Sequence, residues 1–337
     1  MTRRTIFRIA NLFGVLGAIV AAVPITARAL EHGAGAPIPQ LAAFAPWGFA
    51  LWLIAGPLLL IGRRRRAGGA VLLVVVLVAL LGVRWMIPSG AARDAARSGV
   101  AAGSEVRLMT LNAEFGRADT AHTLALVRGH AVDVLVVEEL TPALVERLRA
   151  AGLDGLLGYS DLHPRGGAAG TGIWSRWPLQ EIGRLPSQGF EMPMVAITLP
   201  GTGTPDPPIL TVTGIHTRAP HLAATARWRR DLSMIAMVEA SRGTTSGPMI
   251  YAGDFNASRE HAEFRAILDT GLVDAGDALS VAPWPGFTWP ADQPGPAATR
   301  IDHILITPTS IGVRKVTVVS VPGTDHHGVI ADLEVSS

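Results

Sequence analysis

Three apolar runs crowd the first ninety residues of this 337-residue chain and limit what it can fold into more than anything downstream. Residues 9–27, 41–61 and 70–87 are each close to the roughly 20 residues that a helix needs to cross a bilayer. Pro24 and several glycines are tolerated in such spans. A cleaved signal peptide is the alternative for the first run, with Arg3, Arg4 and Arg8 as its basic start. Two further runs follow, however, and the first is long for a signal. Core helices of a soluble domain fit less well, because the third run is almost unbroken Val, Leu and Ala until Arg84. That arginine lies near the end of the run, where it reaches the interface. An apolar share of 49% and a positive mean hydropathy agree with a membrane segment.

Orientation follows from arginine placement. Arg3, Arg4 and Arg8 precede the first run, and Arg63, Arg64, Arg65 and Arg66 separate the second from the third, whereas the loop between the first two has only Arg28 at its edge. Positive segments stay cytoplasmic, so three crossings place residue 90 onward outside the cell membrane, as part of a multi-pass protein. Arg93 and Arg97 oppose this mildly and are outweighed by four consecutive arginines. The same runs explain the basic pI. Residues 1–99 hold 11 Arg against 2 acidic residues, net +9, while residues 100–337 hold 18 Lys and Arg against 25 Asp and Glu, net −7. An acidic main domain lacks the clustered cations of a broad nucleic-acid footprint.

The chain reads as a membrane domain over 1–90, an Ala, Gly and Ser-rich linker over 91–103, and a globular domain over 104–337. In that domain short apolar strands are expected at 106–111, 132–137, 172–174, 194–199, 209–215, 249–252, 301–307, 313–319 and 329–335, with helices at 121–128, 141–150 and 222–240. Many strands and few helices point to stacked sheets with outer helices. The pieces 200–208 and 283–296 are Pro-rich and read as surface loops.

Polar groups sit where these strands end. Asn112 closes one, Glu139 another and His216 a third. Met249-Ile250-Tyr251-Ala252-Gly253 delivers Asp254 and Asn256 together, since side chains two apart share a face of an extended chain. Asp302 and the pair Asp325, His326 flank two more. One such case is an ordinary polar turn or helix start; six at the end of one sheet stack converge on a pocket. The chain has no cysteine, which removes thiolate metal sites and a cysteine nucleophile. Hard oxygen ligands then suit Mg2+, Mn2+ or Ca2+ rather than structural zinc.

The series Asn112, Val136-Val137-Glu138-Glu139, Gly172-Ile173-Trp174-Ser175-Arg176-Trp177-Pro178-Leu179, Ile215-His216, Gly253-Asp254-Phe255-Asn256-Ala257, Arg300-Ile301-Asp302-His303-Ile304 and Thr324-Asp325-His326-His327-Gly328-Val329 resembles the endonuclease/exonuclease/phosphatase superfamily in order and over about residues 104–337. That resemblance implies an α/β fold, the DNase I-like four-layer α/β sandwich, here preceded by three transmembrane helices. It implies that Glu139 binds an essential Mg2+, or Mn2+, with Asn112 nearby, although Glu138 stands where the family commonly has Gln. Asp254 would orient or deprotonate the attacking water and Asn256 would fix the phosphate. His326 would pair with Asp302, Asp325 would hold a metal or support the site, and His216 would donate to a phosphoryl oxygen. Arg176 matches a family position without an assigned role. Arg300, His303 and His327 read equally as structural, and Phe287, Thr288 and Trp289 as core ahead of pocket wall.

With its N-terminal runs the chain is further similar to a membrane-anchored group of teicoplanin-resistance proteins. That similarity implies an extracytoplasmic Mg2+-dependent phosphohydrolase whose partners are the membrane and a lipid-linked phosphate or pyrophosphate such as undecaprenyl pyrophosphate. An extracytoplasmic metal-dependent nuclease is the rival, disfavoured by the acidic domain. A disabled receptor on the same scaffold is disfavoured because every key polar position is filled.

Overall fold

The computed structural model describes residues 2–61, 65–87, 90, 94, 103–187, 189–200, 207–221, 223–242, 247–279 and 286–336. Arg63 and Arg64, Arg93 and Arg97, nearly all of the expected linker, residues 201–206 of the loop expected at 200–208 and the start, 283–285, of that expected at 283–296 lie outside the described residues. The chain divides into two compact units: the first takes Met1–Ile87, Pro220–Ala223 and Arg259–Ala262, the second the remainder.

Helix α1 (Arg3–Leu30) begins where the Thr2 hydroxyl accepts the Thr5 amide at 3.3 Å. Its 28 residues exceed what a bilayer crossing needs, and its central window is only 11% buried. Among the described residues it is the one helix long and apolar enough to span, which corrects the expectation of three. The second run is divided into α2 (Ile38–Ala42) and α3 (Ala45–Leu60). Pro46 in the first turn of α3 suits a fresh helix start, which shortens that helix to 16 residues. In α4 (Arg65–Met86) the apolar part is Val71–Trp85, also short. Close packing within this unit depends on small residues: a Cβ on Gly14 would lie 2.9 Å from the Leu59 amide, and one on Gly48 would lie 2.8 Å from the Ala21 carbonyl.

The second unit is a pair of six-stranded sheets. Its strands are β1 (Ser104–Asn112), β2 (Val134–Glu138), β3 (Tyr159–His163), β4 (Thr171–Ser175), β5 (Leu179–Arg184), β6 (Pro193–Thr198), β7 (Ile209–His216), β8 (Met249–Asp254), β9 (Val273–Asp274), β10 (Asp302–Ile306), β11 (Ile311–Val319) and β12 (Gly328–Val335). One sheet runs β11-β12-β1-β2-β4-β3, the other β5-β6-β7-β8-β10-β9. Each has one parallel pair near its middle, β1 with β2 and β7 with β8.

Apolar residues fill both faces of the central strands, which is why they read as runs rather than alternations. Val106, Leu108, Val134, Val136, Val212, Ile250, Ala252 and Ile304 form the core between the sheets. Leu111, Leu135 and Val137 face outward onto Leu124, Leu144 and Leu148 of the helices Thr120–Gly129 and Pro142–Ala150. Ile215, Tyr251 and Leu305 face Trp228, Leu232 and Phe264 of the helices Thr225–Arg242 and Ala262–Leu268. The result is helix, sheet, sheet, helix, the expected four-layer sandwich. The helix expected from 141 starts at its cap, Thr141, which accepts the Leu144 amide at 3.2 Å, while that expected from 121 starts one residue earlier behind Asp119, which accepts the His122 amide at 2.6 Å.

Candidate active site

The alternation of the central strands builds the site. On β1 the inward row Val106, Leu108, Thr110 continues to Asn112; on β2 the row Val134, Val136 continues to Glu138; on β8 the row Ile250, Ala252 continues to Asp254; on β10 Ile306 and Ile304 lead back to Asp302. Each row is apolar within the core and polar at one end. Register aligns those ends, because Asn112 pairs with Glu138, His216 with Asp254, and Asp302 with Asp254. Gly253 makes the approach tight: it sits at φ 147°, and a Cβ there would lie 1.9 Å from the Ile215 carbonyl and 2.9 Å from Glu138 Oε1.

Side chains from both sheets meet at this end. Asn112 Nδ2 donates to Asp254 Oδ2 at 3.0 Å and to Glu139 Oε1 at 3.3 Å, while its Oδ1 accepts the Glu114 amide at 2.9 Å. Glu139 Oε2 accepts the Phe115 amide at 2.6 Å. Asp254 Oδ1 accepts the Asn256 amide at 2.7 Å, and Asn256 Nδ2 donates to the Thr217 carbonyl at 2.9 Å and Asp254 Oδ2 at 3.1 Å. His326 Nδ1 faces both Asp302 oxygens at 3.0 and 3.1 Å. Thr324 Oγ1 accepts the His326 amide at 3.1 Å and donates to the Asn112 carbonyl at 2.8 Å, tying the imidazole loop to β1. Trp289 Nε1 donates to Asp325 Oδ2 at 2.9 Å.

A second set of distances is longer and nearly uniform. His216 Nε2 lies 3.7 Å from Asp254 Oδ2 and 3.9 Å from Glu139 Oε1; His326 Nε2 lies 3.9 Å from Asp254 Oδ2 and 3.8 Å from Asp325 Oδ1. These exceed hydrogen-bond length, so both imidazoles and three carboxylates surround a gap that a small polar atom can bridge. All eight residues singled out in the sequence are therefore brought together. Asn256 differs in detail, since its amide is turned to Asp254 and Thr217 and orients the carboxylate directly.

The geometry also separates the two glutamates. Glu138 is fully buried between the sheets, its Oε1 taking the Thr110 hydroxyl at 2.8 Å. Burial, with Asp302 and Asp254 nearby, holds its carboxyl well above the usual range. Glu139 follows in a left-handed turn at φ 54°, which swings its carboxylate out of the inward row to Asn112 and the Phe115 amide. Asn256 shares that conformation at φ 46°. Left-handed backbone costs a non-glycine residue about 1–2 kcal/mol, and both cases fall on residues that grip Asp254 or the gap.

Electrostatics favour a cation. Burial pushes Asp254 up to about 7, with Asp302 adding to the effect and His326 opposing it. Burial likewise raises Glu139, against the Phe115 and Asn112 hydrogen bonds. His326 goes the other way: burial lowers it, but facing Asp302 and Asp254 overcome that and carry it to about 10. His216 is driven down to about 3 by burial and by the charge on His326, so it is a neutral donor or acceptor. Four carboxylates thus face one imidazolium, and two of them are penalised for ionising. Ligand atoms of Asp254, Asp302 and His326 lie within 4.8 Å of one another. An oxygen-rich, cation-deficient pocket fits a hard divalent ion.

These observations meet an independent one. Residues 109–326 match the model of the Endonuclease/Exonuclease/phosphatase family, well over half of the chain. The chain belongs to that family. Members of the family are divalent-metal-dependent phosphoesterases, phosphatases and nucleases, and this chain is an enzyme of that class. Solved structures share the fold at low identity. The D. rerio TDP2 structure with single-strand DNA product is 18% identical, covers 69% of this chain and 100% of its own, and has a TM-score of 0.53. The Neisseria 3′ phosphatase NExo bound to a product DNA hairpin gives 20%, 69%, 100% and 0.53. A family protein from Bacteroides vulgatus gives 17%, 69%, 100% and 0.53. No curated protein sequence matches the chain.

Sequence reasoning left His303 undecided, and the structure places it as the prop beneath the site. Its side chain points outward from β10, with Nδ1 2.6 Å from Asp274 Oδ2 and Nε2 2.9 Å from the Ala257 carbonyl, just beyond Asn256. Arg300 Nη2 lies 3.2 Å from the same Asp274 oxygen. Burial would raise Asp274, but Arg300 and His303 hold its carboxyl below the usual range. Its stabilisation is therefore complete above the unfolded value of about 3.9 and lost as pH falls through the depressed folded value. Asp274→Asn is expected to cost about 2 kcal/mol at neutral pH, read as a lower denaturant midpoint, because Arg300 is left with Asp277 alone and the buried His303 loses its carboxylate partner.

Proposed function

We propose that the chain is a membrane-anchored, Mg2+-dependent phosphohydrolase whose sandwich faces the extracytoplasmic side, acting on a polyprenyl pyrophosphate or a related phospholipid headgroup. One combination carries this reading. A pocket built for a cation and a phosphoryl group is encoded in the same chain as a 28-residue apolar helix with Leu12, Phe13, Ile19 and Val20 exposed. Tethering raises the local concentration of a substrate that is itself in the membrane. The net charge of −7 beyond residue 99 supports the substrate, and Arg3, Arg4 and Arg8 at the start of α1 support an inside N-terminus with the chain beyond that helix outside.

Glu139 would hold the Mg2+, with Asp325 and Asn112 beside it, and Mn2+ would serve as well. The cation supplies neutralisation of phosphoryl charge when bound. Asp254, fixed by Asn112 and Asn256, orients the attacking water and takes its proton once ionised. His326, kept protonated by Asp302, presents Nε2–H to a phosphoryl oxygen, and neutral His216 donates from the other side of the gap.

A nuclease is the second reading, favoured by the DNA products bound in the TDP2 and NExo structures. Purified full-length protein in detergent with Mg2+ separates the two. Phosphate release from a polyprenyl pyrophosphate without cleavage of plasmid DNA is expected; cleavage of plasmid without phosphate release would reverse the assignment.

A further inference from the structure

Packing does not explain Phe115. Glu114, Phe115 and Gly116 occupy φ values of 42°, 53° and 74°, three successive residues in the left-handed region. A bulky side chain is rare there and persists where its surroundings enforce it. The enforcement is visible: Asn112 Oδ1 holds the Glu114 amide, Glu139 Oε2 holds the Phe115 amide, and a Cβ on Gly116 would lie 2.3 Å from Thr141 Oγ1. The loop thereby anchors Glu139, yet it leaves Phe115 53% exposed. An amide contact alone needs no ring, and glycine or asparagine would adopt this backbone with less strain.

We propose that the Phe115 ring takes the apolar tail of a lipid-linked phosphate or pyrophosphate whose headgroup lies against Glu139, Asp254 and His326. The inference rests on the phosphohydrolase reading above and adds the residue that recognises the tail. The ring belongs to the residue whose own amide lies 2.6 Å from Glu139 Oε2, so its backbone borders the gap that a tail would leave. Phe190 stands on the other flank, edge-on to His216 with 4.6 Å between ring centroids. Arg117, ion-paired with Glu114, lies 5.8 Å over the Phe115 ring, and Arg218 lies 5.0 Å over the Phe190 ring. An apolar ring with an adjacent guanidinium suits a molecule that is greasy at one end and anionic at the other. A nucleobase would stack on the same ring, but the net charge of −7 beyond residue 99 opposes a polyanionic strand, and the exposed apolar helix α1 favours a lipid.

The test measures phosphate release by the full chain in detergent micelles with Mg2+. Wild type, Phe115→Ala and Phe115→Leu are each assayed on a long-chain polyprenyl pyrophosphate, on isopentenyl pyrophosphate and on a 3′-phosphorylated single-stranded oligonucleotide. The readout is the ratio of kcat/KM on the long chain to that on isopentenyl pyrophosphate, which cancels any loss the two share through Glu139. Phe115→Ala is expected to lower this ratio about tenfold, mainly through KM, and Phe115→Leu to restore most of it. An unchanged ratio would overturn the tail assignment while leaving the phosphohydrolase reading intact. A loss confined to the oligonucleotide would assign the ring to a nucleobase instead. Wild type active on the oligonucleotide alone would remove the lipid reading and the tail assignment together.

Discussion

Asp254→Ala is expected to lower phosphate release by about three orders of magnitude, roughly 4 kcal/mol of transition-state stabilisation, with the fold retained. Three features set that size. Asp254 is 1% exposed at the meeting point of both sheets, it is gripped by Asn112 and by the Asn256 backbone and side chain, and both imidazoles stand just under 4 Å from its Oδ2. Asp254→Asn is expected to fail nearly as badly. It keeps the shape but turns an acceptor into a donor facing the Asn112 and Asn256 amides. Stability moves the other way. Because the carboxyl is pushed up to about 7 in the folded protein, Asp254 favours folding most below about pH 4 and loses that contribution as pH rises toward 7. The denaturant midpoint of metal-free Asp254→Asn is therefore expected to gain on that of wild type as pH rises from about 4 to 8. Activity lost beside a pH-dependent relative gain in stability marks a site residue rather than a core one.

His326→Ala is expected to lower kcat by about 10²–10⁴-fold, the range for a positioned proton donor. The pH profile gives the sharper check. The competent form has Asp254 ionised and His326 protonated, so activity in limiting metal rises through about 7 and falls through about 10. Bound cation moves the acidic limb lower. His326→Gln removes the basic limb, whereas Asp302→Asn moves it toward neutrality, since Asp302 is the main group holding the imidazole charged. The linkage sign is the same as that of Asp254, in a higher window: the raised imidazole stabilises the fold fully below about pH 6.5 and loses that as pH climbs through about 10. Proton-sensitive NMR of the His326 ring in the metal-free protein would follow the same limb.

Much of this was legible in the chain because the central strands carry their chemistry at their ends. Asn112, Asp254 and Asp302 terminate apolar rows, and a period of two fixes which face each row shares. The strands Tyr159–His163 and Leu179–Arg184 were not legible. They lie at the sheet edges, largely half-buried or exposed, and their sequences Tyr-Ser-Asp-Leu-His and Leu-Gln-Glu-Ile-Gly-Arg show no buried face. The choice between Glu138 and Glu139 was also hidden, since adjacent identical residues differ only through the left-handed turn that separates them. Thr324, Trp289 and the Phe115 amide act on the site through contacts between segments far apart in the chain, which no local pattern encodes. In the N-terminal unit apolar length overstated helix length, because the turn between α2 and α3 divides one run in two.

The central claim is that Glu139, Asp254 and His326 act around one divalent cation, and a Mg2+ titration of phosphate release addresses it most directly. After chelation, wild type is expected to be inactive and to recover fully with Mg2+. Glu139→Gln is expected to need at least about tenfold more Mg2+ for half-maximal rate, because a ligand carboxylate is lost, whereas Glu138→Gln is expected to leave that concentration unchanged. Equal Mg2+ requirements in wild type and Glu139→Gln, or full activity after chelation, would contradict the account.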